Sequence, residues 1–285
     1  MVISGLSGKN RMLDIDKIGL LITDWDDTVT DGDTMELCFN AVSQSKPGSL
    51  YDHSYFLKLY LQARNEFLAQ ISSKPYSKRA TFSEELAFQE DVKRSEESSA
   101  AEAVRLKFFK GVSESDFRKQ ADKIILREGF LECLAKVREH GIPVEIVSVN
   151  WTGKMIDETL RRNGYTGDCI QISSNEFEFD ADGVCTGDLY RGNPLTKDGL
   201  RTGADKLKIT ETLIEEHHKV SKKEVVYIGD SSTDVLSMIK ADRAIIIKGG
   251  SAISVLEALG HEVTDGDADR TPSRFSAVSD WKNLL

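Results

Sequence analysis

The chain has 285 residues, 40% of them hydrophobic, which is enough to bury a core in one large domain or two moderate ones. Its 37 Lys and Arg residues against 47 Asp and Glu residues leave a formal net charge of −10, which disfavours nucleic acid and anionic membranes as the main partner. No apolar run reaches the roughly 20 residues of a membrane span, and the amino-terminal residues lack the pattern of a secretory signal. The cysteines form no CxxC pair and are typical of the reduced thiols of a cytoplasmic protein: Cys38, Cys133, Cys169 and Cys185.

The first predicted element is a buried strand that runs directly into acidic residues. Residues 18–22 are largely apolar, and Asp24, Asp26 and Asp27 follow closely. Three carboxylates in so short a segment repel one another. The segment is therefore either an ordinary strand end with a polar loop, or a place where a cation and a reaction make use of the charges.

Residues 35–122 have the character of a helical insertion. One amphipathic helix is predicted from apolar residues spaced by four, three, four and four positions: Phe56, Tyr60, Ala63, Phe67 and Ile71. A second is predicted around Phe117 and Ala121, with Ser113 or Ser115 as its N-cap. The polar segment 84–93 is interpreted as a solvated helix face. We therefore expect a helical cap domain, residues 35–122, inserted straight after the first strand.

Residues from 123 onwards alternate between helical and strand-like patterns, which predicts a parallel sheet with helical crossovers. Strands are predicted at 142–149, 169–173, 224–229 and 243–249, and helices at 131–137, 155–160, 206–219, 233–241 and 254–259. Alternation around an Asp-Gly pair predicts a hairpin over 176–190. The predicted fold class is therefore α/β, with a Rossmann-like parallel sheet core domain formed by residues 1–34 and 123–285. The carboxyl-terminal segment around Trp281 is expected to pack on this core.

Polar residues follow several of these strands and begin one helix, and ligands of open parallel sheets bind at the carboxyl ends of the strands. The candidates are Asp24, Asp26, Ser148, Asn150, Lys206, Asp230 and Asp234. Asp24 and Asp26 are two positions apart on an extended segment, so both can face one point. Joined by Asp230 and Asp234, they would form an oxygen-rich metal site for a hard cation such as Mg²⁺.

These residue types fit the transfer of a phosphoryl group. Mg²⁺ and Lys206 would neutralise phosphate oxygens, and the Ser148 hydroxyl would donate to another of them. Asp24 could then attack phosphorus to form an aspartyl-phosphate, while Asp26 protonates the leaving group and later activates water. Thr28 would hold the loop in place. The predicted substrate-binding residues are Thr28, Ser148, Asn150 and Lys206.

Four short segments carry a resemblance to a known family. DWDDT (24–28) matches the DxDxT motif of the haloacid dehalogenase-like superfamily, VSVN (147–150) resembles its serine motif, Lys206 its lysine motif, and GDSSTD (229–234) its acidic fourth motif. In this superfamily an aspartate two positions after the nucleophile is typical of phosphatases and phosphomutases. Asp26 therefore implies transfer from a phosphoester, with water as the expected acceptor. A phosphomutase or phosphotransferase, or a protein that only binds a phosphorylated metabolite, is the alternative.

The position of the insertion resembles the helical cap of small-molecule phosphatases in this superfamily, which implies a small phosphoester as substrate. Asp31, Asp33 and Glu36 would favour an amine- or cation-bearing leaving group at the mouth of the site, or they form a solvated loop. Trp151 would stack on a ring of the substrate or anchor the following helix. The layout resembles that of phosphoserine phosphatase-like members, among them domains thought to act on thiamine monophosphate. Residues 149–151 depart from that subgroup, because phosphoserine phosphatases usually have glycines after the motif serine.

Overall fold

The computed structural model describes residues 12–166, 170–190, 199–269 and 273–285. Cys169 and residues 1–11 of the segment considered for a secretory signal lie outside the described residues. Among the described residues, no helix combines the length and the apolar character that a membrane crossing needs. A cytoplasmic location stays a prediction.

The strands are β1 (Ile18–Thr23), β2 (Val144–Val147), β3 (Ile170–Ser173), β4 (Glu176–Phe179), β5 (Cys185–Tyr190), β6 (Glu224–Gly229), β7 (Arg243–Ile247), β8 (Thr264–Asp265) and β9 (Phe275–Val278). The helices are α1 (Met35–Ser45), α2 (His53–Ala69), α3 (Phe82–Glu96), α4 (Ser98–Arg105), α5 (Glu114–Lys119), α6 (Phe130–Glu139), α7 (Lys154–Arg162), α8 (Gly203–Val220), α9 (Val235–Lys240) and α10 (Ala252–Ala258). Short 3₁₀ helices occur at Ile71–Ser73, Gln120–Lys123 and Trp281–Asn283.

Seven strands form one sheet in the order β3-β2-β1-β6-β7-β9-β8, and the pairings within it are parallel. The side chains of β1 enter two separate hydrophobic cores. Ile18 and Leu21 pack with α6 and α7 on one face, whereas Leu20 and Ile22 pack with α8, α9 and α10 on the other. A strand buried on both faces requires the nearly continuous apolar sequence found at 18–22. The predicted α/β fold with a Rossmann-like sheet is confirmed.

The carboxyl-terminal segment adds two strands that the sequence does not predict, β8 and β9. β9 pairs with β7, and the 3₁₀ helix after it buries Trp281 completely. The indole Nε1 of Trp281 donates to the carbonyl oxygen of Thr28 at 2.8 Å, and its ring packs edge-on against Phe130 at 5.0 Å between centroids. The tail therefore packs on its own core, as predicted, and supports the loop that follows β1.

Helices α1 to α5 fill the chain between β1 and α6. Several aromatic residues of this segment share one core with Phe177 of the β4–β5 hairpin: Phe39, Phe56, Phe108, Phe109 and Phe117. Phe177 of the hairpin stacks on Phe117 at 4.7 Å between centroids, and Trp151, which follows β2, joins the same core. The helical insertion is thus anchored on the hairpin and on the segment after β2. Its boundaries as a cap domain, 35–122, stay a prediction.

Candidate active site

The predicted site begins where β1 ends. The amide of Asp24 donates to the carbonyl oxygen of Ile228 in β6 at 2.9 Å, so Asp24 continues the strand pairing for one residue. The chain then turns, because the amides of Val29 and Thr30 both donate to the carbonyl oxygen of Trp25, at 2.8 and 3.1 Å. The buried ring of Trp25 fixes this turn in the core. Asp24 therefore lies at the carboxyl ends of two adjacent central strands, where ligands bind in open parallel sheets.

Asp24 belongs to a group of three carboxylates that converge on one point. One oxygen from each of Asp24, Asp230 and Asp234 lies within 4.8 Å of the others, and no second group of this kind occurs in the described part of the chain. The ammonium nitrogen Nζ of Lys206 lies 2.7 Å from Asp24 Oδ1 and 2.8 Å from Asp234 Oδ1. The structure thus brings together the ends of β1 and β6 and the first turn of α8.

Burial and mutual repulsion shift the pKa values of these groups. Burial, with the charge of Asp234 as the next cause, raises the pKa of Asp24 well above its usual range, although Lys206 opposes the shift. The same two causes raise the pKa of Asp230 to about 7, although the hydrogen bond from Thr28 lowers it in part. Burial by itself would lower the pKa of Lys206, but the charges of Asp234 and Asp24 outweigh it and raise this pKa. One ammonium therefore does not balance the carboxylates around it.

This donor set fits a divalent cation of the Mg²⁺ class. Three carboxylates against one ammonium leave two negative charges, which a hard, doubly charged cation would neutralise through the oxygen ligands that it prefers. Asp24 and Asp230 are the better placed ligands, because both oxygens of Asp234 already accept hydrogen bonds from the protein. The donors to Asp234 are Lys206, Tyr227, Asp230 and Ser231. Asp234 therefore holds Lys206 and the 230–234 loop in position beside Asp24 and Asp230.

The side chain of Asp26 lies outside this group, whereas the sequence predicts it among the metal ligands. Its carboxylate accepts hydrogen bonds from the amide and the hydroxyl of Thr34, at 2.7 and 2.5 Å, and from Nδ2 of Asn150 at 3.1 Å. The expected common direction of Asp24 and Asp26 is lost because the chain leaves the extended conformation at residue 26. Burial, with Asp33 as the next cause, raises the pKa of Asp26 to about 6, which suits a group that gives up and takes back a proton near neutral pH.

Two residues that the sequence assigns to substrate binding instead orient the acids of the site. Asn150 is fully buried and donates from Nδ2 to Asp26 and, at 3.0 Å, to the hydroxyl of Thr34. Thr28 is also fully buried, and its hydroxyl donates to Asp230 Oδ1 at 3.0 Å. Ser148 is buried as well, and its hydroxyl oxygen accepts the amide of Asn150 at 3.1 Å. Asn150 thus orients Asp26, and Thr28 orients Asp230. Of the four predicted substrate-binding residues, Lys206 is the one that forms an ion pair with Asp24 in the described part of the chain.

Two features of the site are missed by the sequence reasoning. Thr34 supplies two of the hydrogen bonds to Asp26 from a position eight residues further on, a spacing that is part of none of the four motifs. The segment 84–93, which the sequence predicts to be a solvated helix face, is solvated on one side only. Glu90 and Asp91 are exposed, whereas Glu85 and Gln89 are buried and Gln89 accepts a hydrogen bond from the amide of Gly203. Polar residues four positions apart occur both on helix faces that contact solvent and on faces that pack against the protein. Their spacing alone therefore does not predict which kind of face they form.

A family model described as haloacid dehalogenase-like hydrolase matches residues 21–238. The chain belongs to this family. The recognition of the family from four motifs is therefore confirmed, and so is the prediction of an enzyme, since the family is one of hydrolases.

Two relatives and one solved structure add to this match. The chain is 28% identical over 223 residues to a CTO1 family protein of Schizosaccharomyces pombe, a match that covers 75% of this chain and 76% of that protein. It is 27% identical over 150 residues to the mitochondrial bifunctional TH2 protein of Arabidopsis thaliana, which covers 50% of this chain and 23% of that protein. Its fold is similar to that of cytosolic 5′-nucleotidase IIIB bound to cytidine, with a TM-score of 0.52, 17% sequence identity, and coverage of 86% of this chain and 78% of the other. At that identity the likeness concerns the fold alone.

Proposed function

We propose that the protein is a Mg²⁺-dependent phosphomonoesterase that hydrolyses a small phosphorylated metabolite through an aspartyl-phosphate. The observation that carries the proposal is the 2.7 Å ion pair between Asp24 Oδ1 and Lys206 Nζ inside the group of three carboxylates. A carboxylate fixed beside a buried cation needs little rearrangement to receive a phosphoryl group, because the negative charge of the phosphoryl oxygens meets positive charge already in place.

The positive charge of the site divides between a bound cation and Lys206. Mg²⁺ would be held by Asp24 and Asp230, with Asp234 beside them, and when bound it would neutralise carboxylate and phosphate oxygens. Lys206 stays an ammonium at neutral pH, since its pKa is raised by Asp234 and Asp24 in spite of burial. It binds a phosphate oxygen, and the Ser148 hydroxyl donates to another.

The hydrolysis takes place in two steps. In the first, an oxygen of Asp24 attacks phosphorus, the bond between phosphorus and the leaving oxygen breaks, and Asp26 gives its proton to that oxygen. In the second, the Asp26 carboxylate takes a proton from water, the water oxygen bonds to phosphorus, and the bond between phosphorus and Asp24 breaks. Inorganic phosphate leaves, and both acids return to their starting states. The hydrogen bonds from Thr34 and Asn150 keep the Asp26 carboxylate oriented during both proton transfers.

A cavity of about 270 Å³ has the size for the organic part of a small substrate. Residues on either side of Thr34 and of Asn150 line it, and both of these hydrogen-bond Asp26. Its walls carry aromatic rings: Phe39, Phe56, Tyr60 and Trp151. Trp151 also packs at 5.4 Å from Phe39 between centroids, so it anchors the insertion as well as lining the cavity. An aromatic-walled cavity favours a leaving group that contains a ring.

Asp33 gives this cavity one carboxylate that can face an amine or a cation on that ring. Asp33 and Glu96 line it together with Arg201. Glu96 already pairs with Arg64 at 2.5 Å, so Asp33 is the better candidate to face a positive group. Thiamine monophosphate has both a ring and a positive charge, and it is our leading candidate among amine- or cation-bearing phosphoesters. The resemblance to phosphatase domains thought to act on that compound supports the choice.

A panel of phosphorylated metabolites assayed with Mg²⁺ tests the proposal. The panel contains thiamine monophosphate, phosphoserine, phosphocholine and nucleoside monophosphates. We expect release of inorganic phosphate that requires Mg²⁺, is fastest with the ring-bearing cation, and is abolished by Asp24→Asn without loss of the circular dichroism spectrum. Turnover at the wild-type rate in that variant would exclude Asp24 as the nucleophile.

The same panel separates hydrolysis from the alternatives. With an alcohol or a sugar phosphate added, a phosphotransferase or mutase would transfer the phosphoryl group to that acceptor faster than to water. A metal-replete preparation that is inert on every compound would indicate a protein that only binds a phosphorylated metabolite. Hydrolysis predicts inorganic phosphate as the main product whether or not an acceptor is present.

A further inference from the structure

Helix α3 presents polar side chains to the core of the protein rather than to solvent. Glu85, Gln89 and Lys93 lie at intervals of four residues on one side of this helix. The relative exposure of Gln89 is 2%, and the side chain of Lys93 is 21% exposed. Polar groups buried to this extent are tolerated only when they are hydrogen-bonded. The hydrogen-bond partners of these side chains therefore identify the segments to which α3 is attached.

Gln89 connects two segments of the candidate active site. Its Oε1 accepts a hydrogen bond from the amide of Gly203, the first residue of α8, at 2.9 Å. Its Nε2 donates to the carbonyl oxygen of Ser232 at 3.3 Å and to Glu85 Oε1 at 2.9 Å. Gly203 lies one turn before the active-site lysine, and Ser232 lies between the two acids that follow β6. A single side chain of the insertion thus binds both the lysine helix and the acidic loop.

Lys93 binds the same turn of α8 one helical turn further along α3. Its Nζ lies 2.7 Å from Asp205 Oδ1 and 3.3 Å from the carbonyl oxygen of Gly199. Asp205 directly precedes the active-site lysine, and its Oδ2 accepts the amide of Thr202 at the start of α8. Lys93 therefore restrains the position of the residue next to the lysine.

α3, the first turn of α8 and the 230–234 loop are closely packed around Gly203. A Cβ atom at Gly203 would lie 2.8 Å from the carbonyl oxygen of Thr233 and 3.1 Å from Cδ of Gln89. Contacts this close leave no space for α3, the first turn of α8 and the 230–234 loop to move independently. A displacement of α3 must either move the other two segments or break the hydrogen bonds of Gln89.

We propose that Gln89 and Lys93 are positioning residues, through which the docking of the helical insertion on the core sets the places of Lys206 and of the 230–234 loop. They act through the backbone at Gly203 and Ser232 and through Asp205, and touch neither phosphate nor cation. The catalytic consequence of this coupling rests on the proposed function. Its structural part does not, because it concerns the folded protein without substrate.

Hydrogen exchange measured without substrate tests the structural part. Gln89→Met keeps the volume of the side chain but removes the acceptor of the Gly203 amide and the donor to Ser232. We expect exchange in peptides that cover 203–206 and 231–234 to accelerate roughly tenfold. Glu90→Met, on the exposed side of α3, is the matched control and should leave both peptides unchanged. Wild-type exchange rates in folded Gln89→Met would overturn the proposal.

A pair of substitutions at Lys93 keeps the test decisive if Gln89→Met does not fold. Lys93→Met removes the ion pair with Asp205, and we expect it to accelerate exchange at 203–206. Lys93→Arg retains a cation that can bind the same carboxylate, and we expect it to restore most of the protection. Protection at 203–206 that is the same in both variants as in the wild type would overturn the role of Lys93.

Kinetics supply the second readout. In Gln89→Met we expect kcat to fall roughly tenfold and the Mg²⁺ concentration for half-maximal rate to rise, with KM changed by no more than about twofold. A raised KM with unchanged kcat would place Gln89 in substrate binding and overturn the positioning role. If the wild-type protein hydrolyses no member of the panel, the proposed function fails, whereas the exchange rates still decide whether Gln89 and Lys93 position the site.

Discussion

Asp24 and Asp26 stand two positions apart in the chain, yet their carboxylates have different neighbours. Asp24 faces the ammonium of Lys206, which opposes the rise in its pKa caused by burial and by Asp234 and so favours the ionised form that the proposed nucleophile needs. Asp26 accepts hydrogen bonds from the uncharged groups of Thr34 and Asn150, and burial followed by the charge of Asp33 raises its pKa to about 6. These surroundings suit the first acid to attack phosphorus and the second to carry a proton.

Replacing Asn150 by Ala removes one of the hydrogen bonds that orient Asp26. Protonation of the leaving oxygen matters most when the leaving group is poor. We therefore expect kcat/KM, which reports the steps up to release of the leaving group, to fall roughly 100-fold with an alkyl phosphate but by no more than about threefold with p-nitrophenyl phosphate. Steady-state kinetics on both substrates measure the ratio, with Asn65→Ala on the exposed side of α2 as the control. Equal losses on the two substrates would show that Asn150 does not act through Asp26.

Glu145 in β2 makes the stability of the fold depend on pH. Burial, with Glu216 as the next cause, raises its pKa from 4.5 to about 7. Because the pKa is higher in the folded state, ionisation of Glu145 opposes folding. The penalty is absent below about pH 4.5, grows as the pH rises toward 7, and is complete above that.

Glu145→Gln should therefore raise the free energy of unfolding by about 1 kcal/mol at pH 8, a modest value because the carboxyl still partly faces solvent. At pH 4.5 we expect no measurable gain. Denaturant unfolding at both pH values measures the difference, with the exposed Glu139→Gln as control. A gain of the same size at the two pH values would mean that ionisation is not its cause.

At the scale of elements, the strands of the central sheet are what the sequence predicts best. β1, β2, β6 and β7 are short and largely buried runs of mostly apolar residues, as burial on both faces of a sheet requires. The sequence does not predict β9, whose four residues include Ser276. The place of β9 beside β7 depends on contacts between distant residues, which local periodicity does not report.

The junction between α6 and the carboxyl-terminal segment offers a prediction for these elements. Gly129 has a φ of 89°, and a Cβ there would lie 2.2 Å from the backbone nitrogen of Lys282. Gly164 has a similar φ of 83°, but a Cβ at Gly164 would have no other atom within 4 Å. We expect Gly164→Ala to cost about 1 kcal/mol of stability through backbone strain alone. Gly129→Ala should cost roughly 3 kcal/mol, because the last segment must also move away.

Denaturant unfolding of the two glycine variants measures the two costs. Since Gly129 and Gly164 have similar φ values, the difference between the two losses of stability measures the clash with the carboxyl-terminal segment. Equal losses would mean that this segment yields without cost and does not support the loop after β1.

At the scale of the whole molecule, the sequence predicts which segments meet but not which atoms touch. Asp24 and Asp230 follow β1 and β6, which are neighbours in the sheet, so their proximity follows from the strand pattern and the family motifs. The bonds from Thr34 and Asn150 to Asp26 depend on side-chain directions after a turn, which no spacing rule describes. The attachment of α3 to the core cannot be predicted from the sequence either. A glutamine such as Gln89 occurs on helix faces that contact solvent as well as on faces that pack against the protein.

The most direct test concerns the group that takes up the phosphoryl group. Acid quenching during turnover with Mg²⁺, followed by borohydride reduction, converts an aspartyl-phosphate to homoserine, which peptide mass spectrometry locates in the chain. We predict homoserine in place of Asp24 in the wild-type protein, only when substrate and Mg²⁺ are both present, and none at that position in Asp24→Asn. Phosphate release that continues while Asp24 stays unmodified, or homoserine formed from another acid, would contradict the mechanism.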